Sequence, residues 1–356
     1  MPFDLSFEYL AGMTAWLVAG AVTFVQLLQR RRRWMRHRPN RVKWANAGLS
    51  LWMFLASLTI IELYFAIWYD QSDSFNMSNV SKHWFDRHVQ KNNEGFRDVR
   101  PFLKTVPEAM QRVCFVGDSF TFGHGIKQVA DRFSDRIAEH LETARPGKFL
   151  VSNIGEAGID VRQVTNIVET IVKHDRRIDI LVYTICLNDI DGYEPGSSQQ
   201  QQRLSLHSPQ FFLFRSTYFF NMFYFRVQQA RLPDVRNYYS DLAESYQGTP
   251  WNGMRRKLDE LREFCQDHDI DLRIVIFPFL HNLGPDYPFD VAHDRILGYC
   301  RETALPCLDL KPVLLPHVGE GLTVNRFDAH PNERAHALAA EAMELGLLQD
   351  LFVETP

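Results

Sequence analysis

The stretch Val113-Cys-Phe-Val-Gly-Asp-Ser119-Phe-Thr-Phe-Gly-His-Gly125 decides the predicted fold of the chain. Its first four residues are branched, aromatic or sulfur-containing, which is typical of a buried strand. A Gly-Asp pair ends this run, and the following apolar residues recur every four positions, as in an amphipathic helix, at Phe133, Ile137 and Leu141. Ser119 is therefore predicted at the carboxyl end of a strand, where open α/β sheets bind ligands. Gly-Asp-Ser is also a common turn sequence, so a plain turn is the alternative.

Segments of strand and helix character alternate along the rest of the chain. The alternation predicts an α/β fold, a three-layer α/β/α sandwich with a mostly parallel sheet covered on both faces. Further strands are predicted at residues 149–154, 179–185, 272–277 and 306–310, and helices at 161–172, 254–265 and 291–303. A last helix is predicted to open at Asp328-Ala-His330-Pro and to run through Met343, with Pro331 in its first turn.

Two apolar stretches precede this domain. The first, at about residues 9–28, has no charged residue, and the second, at about 45–68, has only Glu62. Each is long enough to cross a bilayer as a helix, which takes about 20 residues. A cleaved signal peptide fits poorly because Asp4 and Glu8 precede the first stretch and the basic residues follow it. A buried soluble hairpin is the other alternative. Glu62 is expected either at a partner contact or in solvated surroundings near the interface.

The charge distribution orients this predicted hairpin. Residues 30–43 carry eight Arg and Lys residues and no acid, so the positive-inside rule places them in a cytoplasmic loop. The N-terminus and the residues after 70 then face outward, which in a bacterium means an inner-membrane protein with its domain in the periplasm or on the outer face. Without these eight charges, the formal net charge of −4 becomes −12, which argues against nucleic-acid binding.

The sequence predicts three regions. Residues 1–70 form the transmembrane hairpin, 71–110 a juxtamembrane linker, and 111–350 the α/β domain with an aromatic-rich insertion at about 190–250. Nine Phe and Tyr residues crowd positions 211–225 of this insertion. They are expected to form either a core helix or a lid or membrane-surface segment beside the site.

The five cysteines indicate neither a disulfide framework nor a metal site. Cys300 and Cys307 are close enough in sequence to pair in an oxidising compartment. Cys114 and Cys186 lie in apolar strand-like runs and are expected to be buried thiols. No cysteine has the spacing of a metal ligand, and we expect neither a metal nor a cofactor.

Polar residues at the ends of predicted strands suggest a nucleophilic site. Ser119 is a candidate nucleophile, His330 a candidate base, and Asp328 could orient the histidine. An oxyanion could be stabilised by the backbone N–H groups of Ser119 and Gly158 and by the side-chain amide of Asn188. The alternatives are structural: Asp328 could cap a helix, and Gly158 and Asn188 could simply form turns.

Four ordered sequence blocks resemble those of SGNH (GDSL-type) hydrolases. They are Gly117-Asp118-Ser119, the block from Asn153 to Gly158, Cys186-Leu187-Asn188-Asp189, and Asp328-Ala329-His330. The resemblance implies a catalytic triad of Ser119, Asp328 and His330. It also implies an oxyanion hole made by Ser119, Gly158 and Asn188, with Asp118 and Asp189 in supporting positions.

Three details of these blocks bear on the resemblance. Cys186 stands where the family usually has glycine, which could alter the shape of the loop before Asn188. The spacing of two residues between Asp328 and His330 resembles alginate-type polysaccharide O-acetyltransferase relatives and many short esterases. Gly155 is a second glycine in its block, and Gly158 is preferred because it lies five residues after Asn153.

The resemblance implies a membrane-anchored serine esterase acting on O-acyl esters, with acetyl expected, of a carbohydrate or cell-envelope polymer. The same acyl-enzyme could instead pass its acyl group to a sugar hydroxyl. The chain would then be an O-acyltransferase that modifies an exopolysaccharide with a membrane-bound O-acyltransferase partner. A scaffold that has lost the chemistry is the third alternative. The substrate is expected to be an acylated small molecule or glycan.

Overall fold

The computed structural model describes residues 5–193, 207–233 and 237–353. The chain divides into two compact units. The helical unit comprises Met1–Gln71, Asn76–Arg87 and Leu204–Gln229, and the sheet unit comprises Ser72–Phe75, His88–Arg203 and Ala230–Pro356. The predicted linker and insertion are thus each shared between the two units, and the three predicted regions stay a prediction.

The helices and strands of the described residues are named in chain order. The helices are α1 Phe7–His37, α2 Val42–Ile67, α3 Asn79–His88, α4 Ser119–Phe122, α5 Phe133–Ala144, α6 Val161–Lys173, α7 Phe212–Ser216, α8 Phe219–Arg231, α9 Tyr238–Ser245, α10 Thr249–Asp267, α11 Asp290–Glu302, α12 Lys311–Leu314, α13 Glu333–Gly346 and α14 Gln349–Phe352. The strands are β1 Gln111–Gly117, β2 Phe149–Asn153, β3 Ile180–Cys186, β4 Asp271–Phe277, β5 Cys307–Asp309, β6 Thr323–Asn325 and β7 Asp328–Pro331.

Helices α1 and α2 are each long and apolar enough to span a membrane. The indole N–H of Trp52 in α2 donates to the carbonyl of Gly20 in α1 at 2.9 Å, which ties the two helices together. The prediction of a loop over residues 30–43 was wrong for most of that range, because α1 continues to His37. Arginine is a good helix former, so the basic run extends the helix and the turn is confined to Pro39–Arg41.

Glu62 of α2 finds its partners inside the helical unit. Its carboxylate accepts the backbone N–H groups of Tyr218 and Phe219 at 2.7 and 2.9 Å and the hydroxyl of Tyr9 at 3.1 Å. These two N–H groups belong to the start of α8, where a helix has unpaired donors and favours a negative charge. The charge in the second apolar stretch therefore anchors the N-terminus of α8.

The aromatic segment around α7 and α8 is only partly buried. Phe225 lies in the interior, whereas Phe211, Phe212 and Phe223 are 56%, 64% and 55% exposed. A purely internal aromatic stripe would not leave three large rings in solvent.

The sheet unit is built on a five-stranded sheet with the order β2-β1-β3-β4-β5. Every neighbouring pair in this sheet is parallel. The order reverses direction between β1 and β3, and ligands of doubly wound sheets bind at the carboxyl side of such a switch point. The predicted α/β fold is confirmed, and Ser119 directly follows the strand at the switch point.

Helices cover both faces of the sheet. Helices α5 and α13 pack against each other, and α6 packs against α10. Right-handed crossovers put α5, which leads from β1 outward to β2, on the face opposite α6, which leads back to β3. The arrangement is the predicted three-layer sandwich. The segments 113–116 of β1 and 274–277 of β4 are apolar and buried, as expected for strands covered on both faces.

Strand β7 pairs with β6 in a separate antiparallel hairpin. The prediction of a helix opening at residues 328–331 was wrong, since these residues form β7 and α13 begins at Glu333. A residue before proline is biased toward extended backbone, which suits a strand ending at Pro331. Asn332 then caps α13 by accepting the N–H groups of Arg334 and Ala335.

The cysteines of the described residues are free thiols. Cys114 and Cys186 are buried in β1 and β3, as predicted, and burial raises the pKa of the Cys114 thiol to about 12. Cys300 and Cys307 are not joined by a disulfide in the structure.

Candidate active site

The turn that carries Ser119 depends on Gly117, the last residue of β1. Its φ of +155° lies in the region that favours glycine. A Cβ at this position would lie 2.4 Å from the Thr121 hydroxyl oxygen and 2.5 Å from the Thr184 carbonyl oxygen. The strand can therefore turn sharply, and Ser119 becomes the first residue of the short helix α4.

Ser119, His330 and Asp328 form one chain of hydrogen bonds. The hydroxyl oxygen of Ser119 lies 2.9 Å from Nε2 of His330. The other ring nitrogen, Nδ1, lies 2.5 Å from Oδ1 of Asp328. The predicted nucleophile, base and orienting acid thus come together from α4 and β7, across 211 residues of sequence. This geometry allows His330 to take the Ser119 proton while Asp328 fixes the tautomer of the ring.

Asp328 is a buried carboxylate that its surroundings keep ionised. Burial by itself would raise its pKa, but the nearby His330 and His124 rings, together with hydrogen bonds from His330 and Ser72, hold the pKa well below its usual value. The Oδ2 atom accepts the Ser72 hydroxyl, while Oδ1 is the atom that faces His330. The carboxylate therefore has a separate partner on each oxygen.

His124 is a residue of this site that the sequence analysis missed. Its ring stacks on that of His330, with centroids 4.1 Å apart and an interplanar angle of 16°. Its Nε2 lies 3.0 Å from the carbonyl oxygen of Asp73, and because a carbonyl only accepts, this nitrogen carries the proton. Burial is the main cause that lowers the pKa of His124 to about 3, so the ring is neutral at pH 7.

Ligand atoms of His124, Asp328 and His330 lie within 4.8 Å of one another, a separation that could suit a metal ion. Asp328 and His330 already form the hydrogen bonds of the Ser119 chain, and the ring N–H of His124 donates to the Asp73 carbonyl. We therefore interpret this group as part of the hydrogen-bonded site. The only sequence signal for His124 was its place between two glycines of the stretch that carries Ser119.

The three predicted oxyanion donors also converge, and they converge on Asp118. The backbone N–H of Gly158 donates to Oδ1 of Asp118 at 2.6 Å, and the side-chain amide of Asn188 donates to Oδ2 at 2.8 Å. The backbone N–H of Ser119 donates to the same carboxylate. Together these donors form a nest for negative charge, which the Asp118 carboxylate fills. Burial raises the pKa of Asp118, although all three donors act in the opposite direction.

The structure distinguishes the two glycines of the second block. The N–H of Gly155 donates to the side-chain oxygen of Asn153 at 3.0 Å and is not directed at the nest. Gly158 has a φ of +80°, and its N–H reaches Asp118. The side-chain amide of Asn153 also donates to the Thr121 carbonyl at 2.7 Å, which binds this loop to α4.

The third block carries Cys186 at the position where the resemblance leads us to expect glycine. Cys186 ends β3 with its side chain buried, and Asn188 still reaches Asp118. Asp189 lies beneath the loop, where it accepts the hydroxyl of Tyr183 at 2.6 Å. Burial raises the pKa of Asp189 well above its usual value. Asp189 therefore stabilises the loop through its hydrogen bond with Tyr183.

Comparison with known proteins gives similarity in structure only. No family model matches the chain, and no curated protein matches it in sequence. Among solved structures, it is similar to LAE5, an alpha/beta hydrolase enzyme from the metagenome of Lake Arreo, Spain. The identity is 15% over 69% of this chain and 98% of that one, and the TM-score is 0.44.

Two further similar structures come from named bacteria. A member of the lipolytic G-D-S-L family from Veillonella parvula is 14% identical over 68% of this chain and all 100% of its own, with a TM-score of 0.41. A catalytic mutant of the acetylxylan esterase Axe2 from Geobacillus stearothermophilus is 14% identical over 71% of this chain and 100% of its own, with a TM-score of 0.42. Because these values are low, the proposal of function rests on the geometry of the site itself.

Proposed function

We propose that this chain is a membrane-anchored serine ester hydrolase of the SGNH type. The observation that carries the proposal is the hydrogen-bond chain from Ser119 through His330 to Asp328. His330 takes the proton of Ser119 as the hydroxyl oxygen attacks the ester carbonyl, and it then gives that proton to the departing alcohol. Water repeats the sequence on the acyl-enzyme and releases the acid. The ionised Asp328 stabilises the imidazolium that forms in each half-reaction.

The nest around Asp118 is the proposed oxyanion hole. The N–H groups of Ser119 and Gly158 and the amide of Asn188 already bind a carboxylate, so they suit the negative charge of a tetrahedral intermediate. The Asp118 carboxylate must loosen its hold on these donors when the oxyanion forms. Burial favours its neutral form and so lowers the cost of that exchange.

A short acyl group suits the access to Ser119. Ser119 is 7% exposed and His330 is 8% exposed, so a substrate must enter a mostly buried site. We propose acetyl as the acyl group. A carbohydrate or cell-envelope polymer as the carrier of the ester follows from the resemblance of the four sequence blocks.

The proposed location is the inner membrane of a bacterium, with the sheet unit in the periplasm. Support comes from the two candidate membrane-spanning helices and from the arginines at the end of α1, which the positive-inside rule places in the cytoplasm. The same helices favour a second candidate function. The enzyme could be an O-acyltransferase that passes acetyl from Ser119 to a glycan, working with a membrane-bound O-acyltransferase.

The first experiment asks whether Ser119 is a reactive nucleophile. The full chain in detergent is incubated with a fluorophosphonate probe, and the labelled peptide is identified by mass spectrometry. We expect labelling at Ser119 that is lost in Ser119→Ala and retained in Ser245→Ala, a buried serine whose hydroxyl donates to the Asp241 carbonyl of its own helix. Folded wild-type protein that stays unlabelled would contradict the proposal and favour an inactive scaffold.

The second experiment separates hydrolysis from transfer. An acetyl ester donor is supplied with and without soluble glycan acceptors, and free acetate and acetylated glycan are both measured. Hydrolase activity predicts acetate at the same rate in both conditions. Acetylated glycan formed at the expense of acetate, and absent in Ser119→Ala, would favour the transferase.

A further inference from the structure

Residues 72–75, which we name the strap, run beside β7, the strand that begins at Asp328, although more than 250 residues separate them in sequence. The N–H of Ser74 donates to the Phe327 carbonyl at 3.3 Å, and the Ser74 hydroxyl oxygen accepts the N–H of Ala329 at 3.0 Å. The side-chain amide of Asn325 donates to the Ser72 carbonyl at 3.3 Å. The strap is therefore attached to both β6 and β7, on each side of the candidate acid.

One group of the strap contacts Asp328, and another contacts His124, the ring beside His330. The Ser72 hydroxyl donates to Oδ2 of Asp328, and both residues are buried, with Asp328 fully out of solvent. The Asp73 carbonyl accepts the ring N–H of His124, the ring that stacks on His330. A hydroxyl bonded to a buried carboxylate is a charge-assisted contact, which is among the stronger hydrogen bonds in proteins.

The contact from Ser72 affects how the Asp328 carboxylate is oriented toward His330. A carboxylate can rotate about its Cβ–Cγ bond, and rotation would replace Oδ1 with Oδ2 or turn the carboxylate plane away from the imidazole. Ser72 holds Oδ2 on one side while His330 holds Oδ1 on the other. The strap thus restricts rotation of the Asp328 carboxylate, together with the backbone N–H of His330, which donates to Oδ1 at 3.1 Å.

We propose that Ser72 is a positioning residue for the site, and this inference rests on the proposed ester hydrolase function. Ser72 acts through Asp328 and does not touch the substrate. Ser72 is close in sequence to the second candidate membrane helix, because α2 ends at Ile67 and Ser72 follows five residues later. A segment that directly follows a candidate membrane helix therefore supplies a group that orders the reactive side chains.

The test measures the rate of fluorophosphonate labelling at Ser119 and the kcat and KM for an acetyl ester, using the full chain in detergent. Ser72→Ala is expected to slow both labelling and kcat by about tenfold, the scale of one lost hydrogen bond to a charged group, with little change in KM. Ser72→Thr keeps the hydroxyl and is expected to restore most of the rate. Ser245→Ala is the matched control, a buried serine in the same unit.

A double-mutant cycle separates positioning from a general structural role. Once Asp328→Asn has removed the charge that Ser72 holds, adding Ser72→Ala should change the labelling rate by less than about twofold. Equal losses in both backgrounds would overturn the proposal, as would an unchanged rate in Ser72→Ala or a failure of Ser72→Thr to restore it. The wild type reports separately on the underlying function: if Ser119 of folded wild-type protein is not labelled, the hydrolase proposal itself fails.

Discussion

The side-chain amide of Asn188 donates to the carboxylate of Asp118 at 2.8 Å, at the point where two predicted blocks of the sequence meet. Gly158 completes the contact from a third block. A carboxylate held by three donors shows that this small volume is arranged to stabilise negative charge. In the proposed oxyanion hole, a reacting ester must compete with Asp118 for the same donors.

Replacing Asn188 by alanine tests this nest. Asn188→Ala removes one of the three donors and is expected to lower kcat by about 10²–10³, with a much smaller effect on KM, because the oxyanion exists only after attack. Esterase kinetics on purified protein give the answer, with the exposed Asn166→Ala as the control. A loss of less than about threefold would mean that Asn188 serves only to hold Asp118.

Gly155→Ala tests the close contact between the loop of Gly155 and Gly158 and helix α4. An added Cβ would lie 2.8 Å from the backbone nitrogen of Phe122 and 2.9 Å from Thr121, so the loop that carries Gly158 must shift. We expect a lower melting temperature together with a loss of esterase activity of about tenfold or more. Gly284→Ala is the matched control, since a Cβ there meets nothing within 4 Å. Equal behaviour of the two variants would refute the predicted clash.

The pH dependence of stability should reveal the ionised state of Asp328. The pKa of Asp328 is lower in the folded protein than its unfolded value of 3.8. Its contribution to the free energy of unfolding is therefore complete well above pH 3.8, and it is lost as the pH falls toward the folded-state pKa. Asp328→Asn is expected to melt about 5–10 °C below the wild type at pH 7. This gap should stay constant down to about pH 4 and narrow below it.

Thermal melts of the wild type and Asp328→Asn at matched pH values check this expectation. The other carboxylates titrate in both proteins, so the difference in melting temperature reports on Asp328. Asp294→Asn, at an exposed position of α11, serves as the control and should show no such gap. A gap that widens on acidification would show that Asp328 is not held as an anion in the folded protein.

Glu62→Ala should loosen the start of α8. It removes the acceptor of the Tyr218 and Phe219 N–H groups, which are partly buried, and leaving such donors unpaired is costly. We expect amide hydrogen exchange at these two positions to accelerate by about tenfold or more, with a smaller effect in Glu62→Gln, which keeps one acceptor oxygen. Glu8→Ala, at an exposed position of α1, is the control. Unchanged protection of both amides in Glu62→Ala would show that α8 is held by other contacts.

The sheet was predictable from sequence because its strands are buried on both faces. A run such as Val113–Val116 has no polar residue that interrupts its apolar pattern, and a Gly-Asp pair marks its end. The observed β1, Gln111–Gly117, extends this run by two residues at one end and one at the other. The site residues were predictable for a related reason, since parallel strands bring their carboxyl ends to a common edge.

Other features could not be predicted because they depend on tertiary contacts. The rotamer of Asp118, which turns its carboxylate into the nest, is set by donors from two distant loops. Ser72 lies in a polar segment without periodicity, and its partner Asp328 is 256 residues away. The helix predicted at Asp328 failed because pairing with β6 outweighs local helix propensity, and Asn332 supplies the cap four residues later.

The position of the strap has a consequence for preparing or processing this protein. A chain cut after Phe75 would retain Ser119, His330 and Asp328 but lose the Ser72 hydroxyl and the Asp73 carbonyl. Removing the apolar helices together with residues 68–75 would thus leave Ser119, His330 and Asp328 in place but remove the contacts that hold Asp328 and His124. By the same reasoning, a protease that cuts the chain after Phe75 would lower the activity of the fragment that it releases.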